Sequence, residues 1–272
     1  MPSLANVASA LPASRFSAAV HYFASVDSTN QVARALGRAG EPDGTVVVAG
    51  EQTAGRGRRQ RRWVSPAGAG LYVSLLLRPE FPAAESGSAV QLVAGIATAE
   101  ALDLFLPSQP LLRWPNDCFV LDEKIAGVLV EAETTGRGGA ETSVQGFDFL
   151  VCGIGVNVNH TADDFPAALC GRATSVKLQL GHRVSRLDVL AALLDAFDAW
   201  ESVWHEHGTA PIRERWLELS PESVAGNVSV QTEAGLIEGV ADGLTDAGHL
   251  KVRAADGDHE ISVGELIRSR PS

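Results

Sequence analysis

The sequence predicts an α+β fold, with a mixed-sheet domain over residues 1–220 and a small β module over residues 221–272. Three observations carry that reading. Short runs of branched apolar residues are interspersed with two long helical patterns. Pro221 marks a change in composition. From Ser223 onward, glycine interrupts short Val/Ile/Leu runs at intervals suited to small strands.

Residues 1–20 read as a frayed lead that lacks the basic start and continuous apolar core of a signal peptide. Residues 27–30 (Asp-Ser-Thr-Asn) offer N-caps for a helix through Val32 and Leu36 that stops at Gly37 or Gly40. Residues 45–49 (TVVVA) and 71–77 (LYVSLLL) read as strands, and Gly55 and Gly57 argue against regular structure in the Arg-rich stretch between them. Residues 88–106 predict a long helix, with Leu92, Ile96, Ala99 and Leu102 at helical spacing and Pro107 closing it. Strands follow near residues 111–114, 125–131 and 147–152, with an exposed, Gly-rich hairpin tip over 134–146. Residues 186–207 predict an amphipathic helix carrying Leu190, Leu193, Leu194, Phe197 and Trp200 on one side, and residues 211–219 a shorter one. The Gly-broken strands after Ser223 suggest a small barrel of about 45–50 residues.

The charge is unevenly spread. The chain carries 22 Lys+Arg against 33 Asp+Glu, for a net −11. Residues 51–63 hold five Arg and one acid, a net +4, so the remainder carries −15. Such a body argues against a general binder of DNA or membrane, which needs a broad basic face. No apolar run reaches the roughly 18 residues of a membrane span. Cys118, Cys152 and Cys170 lack ligand spacing and are expected as buried free thiols in a reducing, cytoplasmic compartment. Gly-Lys, GxGxxG and GxSxG are all missing, which argues against a phosphate loop, a dinucleotide fingerprint and a hydrolase elbow. His205 and His207 are two apart near a helix end and read as solvent-facing rather than as metal ligands.

Chemistry concentrates in three segments. In residues 51–63 (EQTAGRGRRQRRW), five Arg within seven positions repel one another unless an anion is near, and guanidinium forks match phosphate and carboxylate oxygens. Interleaved Gly lets the backbone approach a ligand, and Trp63 offers a face for a purine. A solvated basic loop or an RNA-binding arm would share that composition. In residues 113–127 (RWPNDCFVLDEKIAG), a rigid turn presents Asn116 and Asp117, and Lys124, one of three Lys in the chain, opens the next strand. Residues 153–159 (GIGVNVN) close a strand with small residues and two Asn.

Together, in that order and after VDSTN, these segments resemble the biotin–protein ligases over residues 27–268. The resemblance implies a mixed α/β catalytic domain of the biotin/lipoate ligase type with an SH3-like C-terminal barrel. It also implies that ATP adenylates biotin and that the biotinyl group passes to a lysine of a carboxylase carrier domain. By the same resemblance, Ser28, Thr29, Asn30, Gln52, Gly55 and Gly127 belong to the biotin site, and Arg56 and Arg58 to the loop that closes over biotin and the phosphates. Arg59 and Arg61 would share that loop and meet ATP, Trp63 would pack on adenine, and Asn116 and Asn157 would contact the nucleotide. Lys124 would bridge the biotin carboxylate and the α-phosphate, with Asp117 in the same polar turn as a candidate base. Mg2+ is expected on the phosphates, with no protein metal site. Arg113 stands where many bacterial members have Lys. The 26 residues before Asp27 are too few for the DNA-binding domain of the family's longer members, so a ligase without DNA or membrane binding is expected, with a homodimer allowed. The closest rival is a lipoate ligase or octanoyltransferase, against which the GRGR loop and the C-terminal module speak.

Overall fold

The computed structural model describes residues 15–78, 83–133 and 147–267, together with Val7. Seven strands form one mixed sheet in the order β1-β2-β3-β7-β6-β5-β4: β1 (Val20–Phe23), β2 (Thr45–Ala49), β3 (Leu71–Leu77), β4 (Leu111–Arg113), β5 (Asp117–Val120), β6 (Glu123–Glu133) and β7 (Phe149–Val156). Only β1 and β2 run parallel; the other ladders are antiparallel. Both faces are covered, so β2 and β3 are buried along their whole length, as their unbroken apolar runs require.

One face packs under α1 (Thr29–Ala39), where Ala33 meets Val47, Leu76, Phe149 and Val151. The helix starts after Ser28 in an extended N-cap conformation and ends on Gly40 at φ 99°, a left-handed cap open to glycine. Gly37 is internal. A Cβ there would stand 2.7 Å from the Phe149 ring and 2.8 Å from Leu76, so its absence lets the helix press onto the sheet. On the other face, α2 (Ala83–Asp103) and α4 (Arg186–His207) bury Ile96, Leu102, Leu190, Leu193 and Phe197 against Val46, Leu75, Leu150 and Ile154. The short α3 (Val176–Leu180) and α5 (Thr209–Glu218) flank them, and α6 (Glu222–Ala225) leads into the C-terminal module. That module is a five-stranded antiparallel sheet in the order β11-β10-β9-β8-β12: β8 (Asn227–Gln231), β9 (Leu236–Leu244), β10 (Leu250–Ala254), β11 (Gly257–Ile261) and β12 (Glu265–Ile267). It shares no strand with the first sheet.

Several sequence expectations shift. The lead is ordered before residue 20: Arg15–Ser17 form a 3-10 turn, and β1 pairs with β2 from Val20 onward. The strand β5 was not expected; it forms a hairpin with β6, so Asp117 sits on a strand rather than in a free turn. The second helix begins at Ala83 and ends at Asp103, earlier at both ends than the apolar spacing implied. Arg58–Gln60 form a 3-10 turn where no regular structure was expected. Of the three free thiols, Cys118 and Cys152 are buried but Cys170 is exposed; burial pushes the Cys118 thiol up to about 12. The hairpin tip expected over 134–146 lies outside the described residues. Among the described residues, no helix is long and apolar enough to cross a membrane.

Candidate active site

A cavity of about 600 Å³ opens over the middle of the large sheet, walled by β5, β6 and β7, the Arg-rich loop, the start of α1 and the edge of the C-terminal sheet. Its lining includes Ser28, Thr29, Asn30, Gln52, Arg56, Arg58, Arg59, Arg61, Trp63, Asn116, Asp117, Lys124, Gly127 and Asn157. Of the residues singled out from the sequence, Gly55 alone stands behind the wall. A Cβ on Gly55 would lie 2.6 Å from the Trp63 carbonyl, and the Gly55 carbonyl accepts the Trp63 N–H at 2.9 Å. This pairing fixes the stem of the loop.

One end of the cavity is a buried polar floor. Gln52 Oε1 accepts the Thr29 N–H (2.9 Å) and hydroxyl (3.1 Å), while Gln52 Nε2 donates to Ser65 Oγ at 3.0 Å. The Ser74 hydroxyl donates to Asn30 Oδ1 (2.7 Å) and lies 2.8 Å from Thr29 Oγ1. Asn30 Nδ2 donates to Glu131 at 2.7 Å, and Arg34 pairs with Glu131 at 2.9 Å. Buried polar groups must be satisfied in this way, and such a network can exchange one partner for a polar ligand group with little reorganisation. Gly153 makes room for it, because a Cβ there would stand 2.1 Å from Asn30 Oδ1. Ser74 and Glu131 escaped the sequence reading, although a lone Ser in the run LYVSLLL was a usable signal.

The middle of the floor has no side chains. Gly127 on β6 and Gly155 on β7 are cross-strand partners, and the Trp63 indole lies over them, 2.5 Å from where a Gly155 Cβ would be. Lys124 Nζ sits 5.4 Å from the Trp63 ring centroid and 2.6 Å from Asp117 Oδ1. The lysine is held from behind, since its N–H donates to the Arg172 carbonyl (2.9 Å) and its carbonyl accepts the Thr174 N–H (2.9 Å). Asn116 Nδ2 donates to the Val128 carbonyl (2.8 Å) and buried Asn157 Nδ2 to the Thr174 carbonyl (3.0 Å). Both amides thus brace the walls, and a ligand could use their side-chain oxygens and the second N–H of each.

The cationic loop leans on the C-terminal sheet. Arg61 makes a two-pronged pair with Glu265 (2.6 and 2.7 Å), Arg59 donates to the Gln231 carbonyl (3.0 Å), and Arg58 donates to the Gly264 carbonyl (3.3 Å). Burial lowers the Arg58 guanidinium from its ordinary value; Asp117 and Glu265 oppose that shift, and Arg59 adds to it. Arg59 adopts φ 52°, a left-handed conformation that bends the loop. The role of Glu265 was invisible in the sequence, which separates it from Arg61 by 204 residues. Arg113 is committed elsewhere: it forks onto Glu222 (2.9 and 3.0 Å) and stacks 3.9 Å from the Phe119 centroid, so its charge ties the edge of the large sheet to α6. Arg172, which the sequence reading passed over, stands at the mouth of the cavity.

Comparison with known proteins points one way. Residues 22–148 match the biotin/lipoate A/B protein ligase family. The biotin–[acetyl-CoA-carboxylase] ligase of Paracoccus denitrificans is 36% identical over 249 residues, covering 90% of this chain and 98% of that protein. The bifunctional ligase/repressor BirA of Bacillus spizizenii is 33% identical over 241 residues, covering 89% of this chain and 71% of that protein. Among solved structures, the biotin protein ligase of Aquifex aeolicus in complex with biotin and ATP superposes with a TM-score of 0.77 at 30% identity, over 93% of this chain and 100% of that one.

Proposed function

Because the chain belongs to the biotin–protein ligase family, we propose a division of labour among the residues that line its cavity. The protein is an ATP-dependent ligase that adenylates biotin and transfers it to a lysine of a biotin carboxyl carrier domain. The observation that best supports the residue assignments is the single cavity in which Lys124, Trp63, the Thr29–Gln52 floor and the Arg loop converge.

Ser28, Thr29, Asn30 and Gln52 hold the ureido ring of biotin, whose donors and acceptors need buried partners. The aliphatic arm runs over Gly127 toward Lys124. Trp63 stacks the adenine, with Asn116 and Asn157 beside the nucleotide. A carboxylate and a triphosphate repel each other, and Lys124 with Arg56 and Arg58 offsets that repulsion as the carboxylate attacks the α-phosphorus and pyrophosphate leaves. Arg59 and Arg61 exchange Glu265 for phosphate oxygens. Mg2+ would arrive on the triphosphate, whose oxygens suit a hard cation that keeps several of its waters. In the second step the acceptor amine attacks the acyl carbon, the amide bond forms, AMP leaves with the bonding electrons, and the amine gives up a proton. Asp117 is the nearest carboxylate to receive it, once Lys124 has shifted toward the phosphate. Residues 1–220 carry both steps and residues 221–272 brace the loop. The acidic body supports a ligase that does not bind DNA.

Biotin-dependent exchange of pyrophosphate into ATP tests the activity, with lipoate and octanoate as competitors. Exchange driven by lipoate in preference to biotin would replace the biotin assignment. The lid role of Arg58 has its own readout. Arg58→Ala releases biotinyl-adenylate roughly tenfold faster than the native protein when no acceptor is present, because a charge-assisted hydrogen-bonding contact to the bound anion is lost. An unchanged off-rate removes Arg58 from the lid.

A further inference from the structure

Leu121 is an anomaly that folding does not explain. The β5–β6 hairpin turns on two residues, Leu121 at φ 47° and Asp122 at φ 68°. Two positive φ values in a two-residue connection follow the type I′ pattern, which selects Asn, Asp or Gly. Asp122 fits that rule. Leucine meets a steric penalty there, and its side chain is 69% exposed, so burial does not compensate. Strain retained without a folding gain points to function.

The position is informative. Leu121 precedes Lys124 by three residues, and its neighbours Phe119 and Asp122 line the cavity. Val263, also apolar and 53% exposed, adjoins Gly264 on the wall formed by the C-terminal module. Arg172 is exposed at the same mouth and fixed through its backbone to Lys124. Among the described residues, its guanidinium has no hydrogen-bond or ion-pair partner, in a chain of net charge −11.

We propose that Leu121 and Arg172 form the docking surface for the biotin-accepting protein, a domain that presents an acidic surface around its target lysine. The proposal rests on the ligase reading above. A lysine reaches on a four-carbon stem, so the acceptor's backbone must come up to the rim while its amine enters the cavity. An acidic acceptor is repelled by the −15 body and drawn to the cationic mouth, which orients it before contact. Leu121 then meets an apolar residue beside the target lysine.

The test uses two variants of the full chain and three assays. Leu121→Asn suits the left-handed turn, so it melts no lower than the native protein. Arg172→Glu reverses the exposed charge. With an apo biotin carboxyl carrier domain as acceptor, kcat/KM falls about tenfold in each variant, and Arg172→Glu loses the native salt sensitivity. In Leu121→Asn, pyrophosphate exchange, and trapping of biotinyl-adenylate by hydroxylamine, which needs no docking, stay at native rates. Unchanged acceptor kinetics in both variants, or an equal loss in hydroxylamine trapping, overturns the proposal while the ligase reading stands. A native protein without biotin-dependent exchange overturns both.

Discussion

Lys124→Ala lowers biotin-dependent pyrophosphate exchange by at least about a hundredfold, while biotin still binds within a few-fold of its native affinity. Both halves of that result follow from where the ammonium stands. It lies over the side-chain-free floor, away from the Thr29–Gln52 network proposed to hold the biotin ring, so ring binding survives its loss. It is also the cation that compensates Asp117 at 2.6 Å. Removing it deletes a positive charge from the place where two anions must meet and leaves a bare carboxylate facing them. Lys124→Arg does not restore the rate, because a planar fork cannot replace a compact point charge between Asp117 and the Trp63 ring. Titration calorimetry with biotin, alongside the exchange assay, separates the two effects. Pyrophosphate release near the native rate in Lys124→Ala would remove this lysine from the chemistry.

Gly155→Ala raises KM for ATP by about tenfold or more, the range in which loss of a base–aromatic stack is measured. The added methyl would lie 2.5 Å from Trp63 Nε1 and 2.6 Å from Cε2. Gly155 cannot retreat, because its strand is laddered to Tyr72 on one side and Gly127 on the other. The indole must move, and with it the surface proposed to receive adenine. The polar floor proposed to hold the biotin ring meets β7 at Gly153, two residues away, so KM for biotin changes less. Equal shifts in both constants, or a drop in thermal midpoint large enough to explain them, would argue against a nucleotide role for Trp63.

How far the sequence could be read depends on whether a signal is local. The α4 helix was legible end to end because Ser185 accepts the Asp188 N–H at one end and Gly208 closes the other. β1 was not, since four half-buried residues, Val-His-Tyr-Phe, neither alternate nor form an apolar run. β5 was hidden for a related reason: a leucine occupies the turn where Asn or Gly would have announced a hairpin. In the site, the motifs named almost every lining residue of the catalytic sheet, because glycines and arginines cluster along the chain there. Glu265, Ser74 and Arg172 stayed dark because their importance lies in contacts across more than forty residues of sequence. Cys170 was misjudged by composition alone, since nothing local distinguishes it from its two buried counterparts.

β6 acts as a ruler. The Asn30 carboxamide reaches the Leu129 carbonyl (3.4 Å), and the Lys124 ammonium folds back to within 3.4 Å of where a Gly127 Cβ would stand. The span from the floor proposed for the ring to the proposed reacting cation is therefore about two strand residues, roughly 7 Å of backbone. That length is set by the hydrogen-bond ladder rather than by any side chain. On the proposed assignment, substitutions around Thr29, Gln52 and Ser74 alter which ring is recognised without moving the point of attack. A scaffold of this kind separates the choice of acid from the chemistry performed on it.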